Sequence, residues 1–139
     1  MKQVLIDTNI ILDIALQQEP FFYAAEQIFD KIEEGTIKGF VTASSITDIY
    51  YISKKSSGRE KTLAFIRDMI DILEVLSVTK EAIIDALNTE FNDFEDALQY
   101  CVADMNCIDV IVTRNKSDFR FSTIEVCTPD ELIKKLIDN

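Results

Sequence analysis

Short apolar runs alternate along this chain with longer stretches whose apolar residues recur every three or four positions. Val4-Leu5-Ile6 is too short and too β-branched for a useful helix, and reads as a strand buried on both faces of a parallel sheet. Behind it, Ile10, Ile11, Ile14 and Ala15 have helical spacing that breaks near Gln17 to Pro20. The period resumes from Phe21 to Ile32, with Gly35 as its stop. Gly39 to Ala43 is expected as a second strand. Ser44 to Ile52 then turns straight into a helix, and Ser45-x-x-Asp48 has the general shape of a capping box.

A polar turn, Ser56-Ser57-Gly58, separates that helix from the next, which runs from Thr62 to Leu73. Glu74 to Val78 reads as a third strand, and Thr79 offers an N-cap for a helix through Ile83, Ile84 and Leu87. Asn92 or Asp93 caps a further helix whose apolar stripe is Phe94, Ala97, Leu98, Cys101, Val102 and Met105, leaving Asp93, Asp96 and Tyr100 on the other side. Cys107 to Val112 is a fourth strand and Ile124 to Cys127 a shorter fifth. Thr128-Pro129-Asp130-Glu131 then gives an N-cap, a first-turn proline and first-turn acids to a last helix. Strands alternating with helices imply right-handed βαβ units. The expected fold is a three-layer α/β/α sandwich around a mainly parallel sheet of four to five strands.

The 139 residues fit one domain, 1–139, with enough chain to bury a core without a disulfide or structural metal. A composition of 47% hydrophobic and 28% charged residues, with three glycines and two prolines, is that of an ordinary folded protein. No apolar stretch approaches bilayer length and no signal peptide is evident, so a cytoplasmic protein without membrane association is the default. Cys101, Cys107 and Cys127 lack the paired spacing of zinc or redox sites and read as core or near-surface thiols.

Two bulk facts narrow the chemistry. There is no histidine, which excludes Ser-His-Asp and Cys-His catalysis, histidine-relayed RNA cleavage and the usual zinc sites. The formal charge of -11, from 25 acids against 14 bases, argues against broad adhesion to nucleic acid and leaves only local basic patches for that purpose. The densest such patch is Lys54, Lys55, Arg59 and Lys61.

The acids are better organised. Asp7 ends the first strand and is followed by Thr8 and Asn9; capping of the next helix is its plain structural reading. At the carboxyl edge of a parallel sheet, however, it lies where ligands gather. The fourth strand repeats this exit with Thr113-Arg114-Asn115-Lys116-Ser117-Asp118-Phe119, while Asp48 and Asp96 lie early in helices that can aim at the same edge. Four carboxylates brought together would repel one another unless they shared protons or bound a cation. Oxygen ligands of this kind suit Mg²⁺ or Mn²⁺, ions that assist in-line phosphodiester displacement without a histidine.

Taken together, Leu5-Ile6-Asp7-Thr8-Asn9, Ser44-Ser45-Ile46-Thr47-Asp48, Phe94-Glu95-Asp96-Ala97 and the Thr113 to Phe119 turn resemble PIN-domain proteins, in particular the VapC-like group of small prokaryotic ribonucleases. The resemblance runs nearly end to end, and the last segment is its most specific part. It implies a PIN-like fold and hydrolysis of RNA by water activated on Mg²⁺ or Mn²⁺. Asp7 matches the first-strand metal ligand and Asp96 the late-helix ligand. Asp48 stands where the family commonly has glutamate, one methylene longer. Asn115 stands where many members have a further acid, and Asp118 is the candidate to compensate for it. Thr113, Asn9 and Asn115 are expected to hold these carboxylates in place. Arg114, Lys116, Lys54, Lys55 and Arg59 are candidates for phosphate contacts. The resemblance further implies a toxin held in check by an antitoxin that inserts a basic side chain into the acidic pocket. Family members often pair as homodimers.

Two other readings keep parts of this pattern. A non-catalytic PIN-like binding module accommodates the Asp48 and Asn115 departures. A receiver-like signalling domain needs an aspartate ending the third strand and a lysine ending the fifth, where this chain has Val78-Thr79-Lys80 and Thr128-Pro129.

Overall fold

Leu5, Phe40 and Ile111 point to one side of a sheet, while Val4, Ile6, Val41, Val110 and Val112 point to the other, and both sets are buried. That double burial needs helices on both faces, which the computed structural model, describing residues 1–138, provides. The element order is β1 (Lys2–Ile6), α1 (Thr8–Ala15), α2 (Phe22–Glu33), β2 (Ile37–Thr42), α3 (Ala43–Ser57), α4 (Arg59–Ile72), β3 (Glu74–Leu76), α5 (Lys80–Leu87), α6 (Phe94–Met105), β4 (Val110–Val112), a 3₁₀ turn (Lys116–Phe119), β5 (Glu125–Cys127) and α7 (Pro129–Asp138). The five strands lie in the order β3-β2-β1-β4-β5, and every neighbouring pair is parallel. The sheet is thus wholly parallel, and the α/β/α sandwich stands.

One face carries Ile10, Ile28, Ile49, Met69 and Leu132, from α1, α2, α3, α4 and α7. The other carries Ala103 of α6 and Phe119 of the 3₁₀ turn, with α5 packed on α6 through Ala82, Ala86, Leu98 and Val102. From β1 the chain steps outward through β2 to β3, then returns to the other side of β1 for β4 and β5. The carboxyl ends of β1 and β4 therefore flank the point where the strand order reverses, which is where open α/β sheets form their crevice.

Local signals explain most boundaries. Gly35, at φ +80°, ends α2 in a Schellman motif, with Gly35 N–H donating to Ile32 O and Thr36 N–H to Lys31 O, both at 3.0 Å. Thr79 and Asp93 cap α5 and α6 by accepting from the backbone N–H of Ala82 and Asp96. The reciprocal capping box lies at α7, where Thr128 N–H donates to Glu131 and Glu131 N–H to Thr128.

Several expectations are corrected. Ser45 is no cap: α3 begins at Ala43, and Ser45 is a fully buried residue of its first turn. The polar turn at Ser56-Ser57-Gly58 is nearly continuous helix, since α3 runs through Ser57 and α4 starts at Arg59, with the bend confined to Gly58 at φ +83°. β3 stops at Leu76 because its one partner, β2, ends opposite it at Thr42, where α3 begins. β4 starts at Val110 because Ile108 N–H still bonds back to Ala103 O at the end of α6. On α6, Phe94 and Met105 are half exposed at the helix ends, whereas Gln99, which the apolar stripe leaves out, is fully buried.

Candidate functional site

Asp7 is held where β1 ends. Its backbone N–H continues the β1–β4 ladder to Val112 O at 3.0 Å, and its side chain is only 3% exposed. Both carboxylate oxygens have donors: Gln99 Nε2 reaches Oδ1 at 3.0 Å and Thr113 Oγ1 reaches Oδ2 at 2.7 Å. Burial pushes the Asp7 carboxyl up from its ordinary value, and the Gln99, Thr113 and Thr8 donors offset part of that by favouring the charged form. Thr113 is held in turn by Asn115, whose backbone N–H donates to Thr113 Oγ1 at 3.1 Å. Asn115 thus acts on Asp7 through its main chain, while its side chain is exposed. Asn9 is partly buried and forms no side-chain hydrogen bond among the described residues.

α6 delivers two acids to the same edge. Asp96 is half-buried and held up to about 7, by burial first and then by the charges of Asp7, Asp93 and Asp118. Glu95 is held up to about 8, by burial first and then by the Asp48 carboxyl against which it lies. Glu95 Oε1 also lies 3.2 Å from Thr8 Oγ1, which in turn is 2.7 Å from Ser45 Oγ. Ser45 is 2.9 Å from Thr42 Oγ1, so hydroxyls at the exits of β1 and β2 tie α1, α3 and α6 together. Thr8, Ser45 and Thr42 are all buried.

Asp118 is exposed on the 3₁₀ turn, and with Asp96, Asp93 and Arg120 it lines a small cleft of about 80 Å³. The structure therefore gathers Asp7, Asp48, Asp96 and Asp118 at one sheet edge, and adds Glu95 and Gln99, which sequence reasoning missed. The available signal was spacing: Gln99 lies three residues from Asp96 and four from Glu95, so it neighbours both on the surface of α6. Among the described residues none of these acids is in an ion pair. Among those residues, too, no three acidic or cysteine side chains stand close enough to grip an ion outright. An all-oxygen set this open suits an ion that keeps several of its waters, as Mg²⁺ does and zinc does not.

The basic candidates are placed less favourably. Arg114 turns inward: its Nε is 2.9 Å from Asp13 Oδ2, and its guanidinium stacks 4.0 Å above the Phe21 ring. Asp13 is fully buried and has no hydrogen bond of good geometry, so Arg114 is its compensating charge. Lys116 pairs with Glu131 at 3.1 Å. Lys54 lies over the Tyr50 ring, and with Lys55 it sits about 9–10.5 Å along α3 from Asp48, on the end that points away from the acidic edge. Arg59 lies beyond the Gly58 bend. Arg120, overlooked in the sequence, is the basic side chain that lines the cleft beside Asp96 and Asp118.

Comparison with known proteins gives a consistent picture. Residues 3–117 match the family model described as PIN domain. The chain is 27% identical over 139 residues to Ribonuclease VapC1 of Aquifex aeolicus (strain VF5), covering 96% of this chain and 95% of that protein. Among solved structures it superposes with a TM-score of 0.68 on DNA-bound VapBC from Salmonella typhimurium, at 22% identity over 93% of this chain and 99% of that one. A second, VapC20 of Mycobacterium tuberculosis, a sarcin-ricin loop cleaving toxin, gives 0.64 at 11% identity over 78% of this chain and 86% of that one. Among the described residues no helix is long and apolar enough to cross a membrane.

Proposed function

The chain belongs to the PIN-domain family, and from that premise we propose that it is an endoribonuclease that hydrolyses RNA phosphodiester bonds with the help of Mg²⁺ or Mn²⁺. The observation that carries this reading is the buried Asp7 at the sheet's reversal point, ringed by Asp48, Glu95, Asp96 and Asp118 with no cationic side chain paired to any of them among the described residues. A structure that collects acids in this way is poised to take up positive charge, and its oxygen donors fit a hard divalent cation.

Asp7 and Asp96 would hold the ion, with Asp48 and Asp118 reaching it directly or through water. The chemistry supplied by such an ion is Lewis acidity toward water and phosphate. Thr113 and Gln99 fix the orientation of the Asp7 carboxylate, so that it need not reorganise when the ion or the substrate arrives. The acidic edge repels a bare phosphodiester, which makes cleavage conditional on the ion. Arg120, which lines the cleft, is the basic side chain there that a substrate phosphate would meet.

The same likeness supports the role of a toxin, since one structural relative is a toxin–antitoxin complex. An antitoxin with a basic side chain is complementary to this edge and to a chain of net charge -11. The reading is tested by incubating purified protein with RNA in Mn²⁺, where cleavage is expected, and in chelator, where it is not.

A further inference from the structure

Glu95 is positioned too well for a solvated surface acid. It lies in the first turn of α6, where a negative charge is favoured by the helix dipole. Its carboxylate is directed inward, to Thr8 Oγ1 at 3.2 Å, and Thr8 is rooted in the buried hydroxyls of Ser45 and Thr42. Asp48, from α3, is the acid that bears on it most strongly, and neither forms an ion pair with a lysine or arginine among the described residues. Four residues along the same face, Gln99 is fully buried, and its Nε2 is committed to Asp7 while its Oε1 has no donor. The amide cannot turn over to satisfy Oε1 without setting an oxygen against the Asp7 carboxylate. An acceptor buried without a donor costs stability, and water carried into the site by a cation would supply that donor.

We propose that Glu95 is a cation-holding carboxylate of this site, acting as a pair with Asp48, and that the free Gln99 amide oxygen accepts from water brought in with the ion. The proposal rests on the reading of the acidic edge as a divalent-cation site, and it enlarges the set of acids that the sequence motifs single out. Glu95 supplies the longer arm beside the short Asp48 side chain.

Calorimetric titration of Mn²⁺ into the full chain tests it, comparing wild type with Glu95→Gln, Glu95→Asp and, as a charge control at the far end of α6, Asp104→Asn. Glu95→Gln should weaken Mn²⁺ binding by about tenfold or more, the scale seen when a group supporting a bound ion is lost, while Asp104→Asn should leave it unchanged. Glu95→Asp should fall between wild type and Glu95→Gln. A purely structural Glu95 predicts the opposite pattern: a lower melting temperature for Glu95→Gln without any ion, and unaltered Mn²⁺ affinity. Wild-type affinity in Glu95→Gln overturns the proposal; should that variant fail to fold, wild-type affinity in Glu95→Asp does so. Because the readout is binding, a protein that cleaves no RNA but loses Mn²⁺ with Glu95→Gln would refute the ribonuclease reading and leave this proposal standing.

Discussion

Thr113 Oγ1 donates to Asp7 Oδ2 across 2.7 Å, joining the first residues beyond two adjacent parallel strands. The bond is buried, and its acceptor is a carboxylate, so it belongs to the stronger class of charge-assisted hydrogen bonds. Thr113→Val keeps the shape and removes the donor. RNA cleavage should then fall about 10–100-fold with little loss of fold, since Asp7 keeps its Gln99 donor but loses half of its orientation. Parallel cleavage assays and thermal melts check this. An unchanged rate would mean that the bond only packs β1 against β4.

The raised acids predict how stability depends on pH. Asp96 at about 7 and Glu95 at about 8 both retain protons in the folded chain that the unfolded chain has lost above the ordinary carboxylate range. Where the folded state binds more protons than the unfolded state, stability falls as pH rises. In chelator, therefore, the melting temperature should decline from about pH 5 to about pH 8, and Asp96→Asn should flatten that decline. Saturating Mn²⁺ should oppose it, because the ion competes with protons for the same oxygens. Thermal melts across this range, with and without Mn²⁺, read both effects.

Arg114 has a structural duty, and its loss should be costly. Asp13 is fully buried, and the Arg114 guanidinium is its counter-charge at 2.9 Å. Breaking a buried pair from one side costs about 3–5 kcal/mol, and the partial exposure of Arg114 puts Arg114→Met near the lower end, about 3 kcal/mol. Asp13→Leu combined with Arg114→Met should recover much of that loss, as measured by urea unfolding. A phosphate-binding Arg114 would show the reverse: normal stability in Arg114→Met and weakened RNA binding.

These contrasts show what the sequence discloses and what it hides. Asp7 and Thr113 were legible because each directly follows an apolar run too short for a helix, and strands in a parallel sheet must end at the same edge. Asp96 was legible from its place beside a cap. Glu95 and Gln99 were not, because the apolar stripe through Phe94 and Met105 sets the wrong orientation for α6. The structure leaves those two ends half exposed and buries Gln99 against Asp7 instead. Arg114 looked free because its partner, Asp13, lies far away in sequence in a helix whose apolar spacing drew attention elsewhere. Ser56-Ser57-Gly58 has the composition of a polar turn, yet helix propensity on both sides carries the chain through to Gly58.

The most direct measurement is cleavage of one labelled RNA by wild type and by Asp7→Asn side by side in Mn²⁺, with both proteins shown to be folded by thermal melting. The account predicts that wild type cuts the RNA, and that Asp7→Asn leaves it intact while melting at the same or a higher temperature, because the substitution removes a buried charge. Cleavage at the wild-type rate by Asp7→Asn, or no cleavage of structured and single-stranded RNAs by wild type, would contradict it.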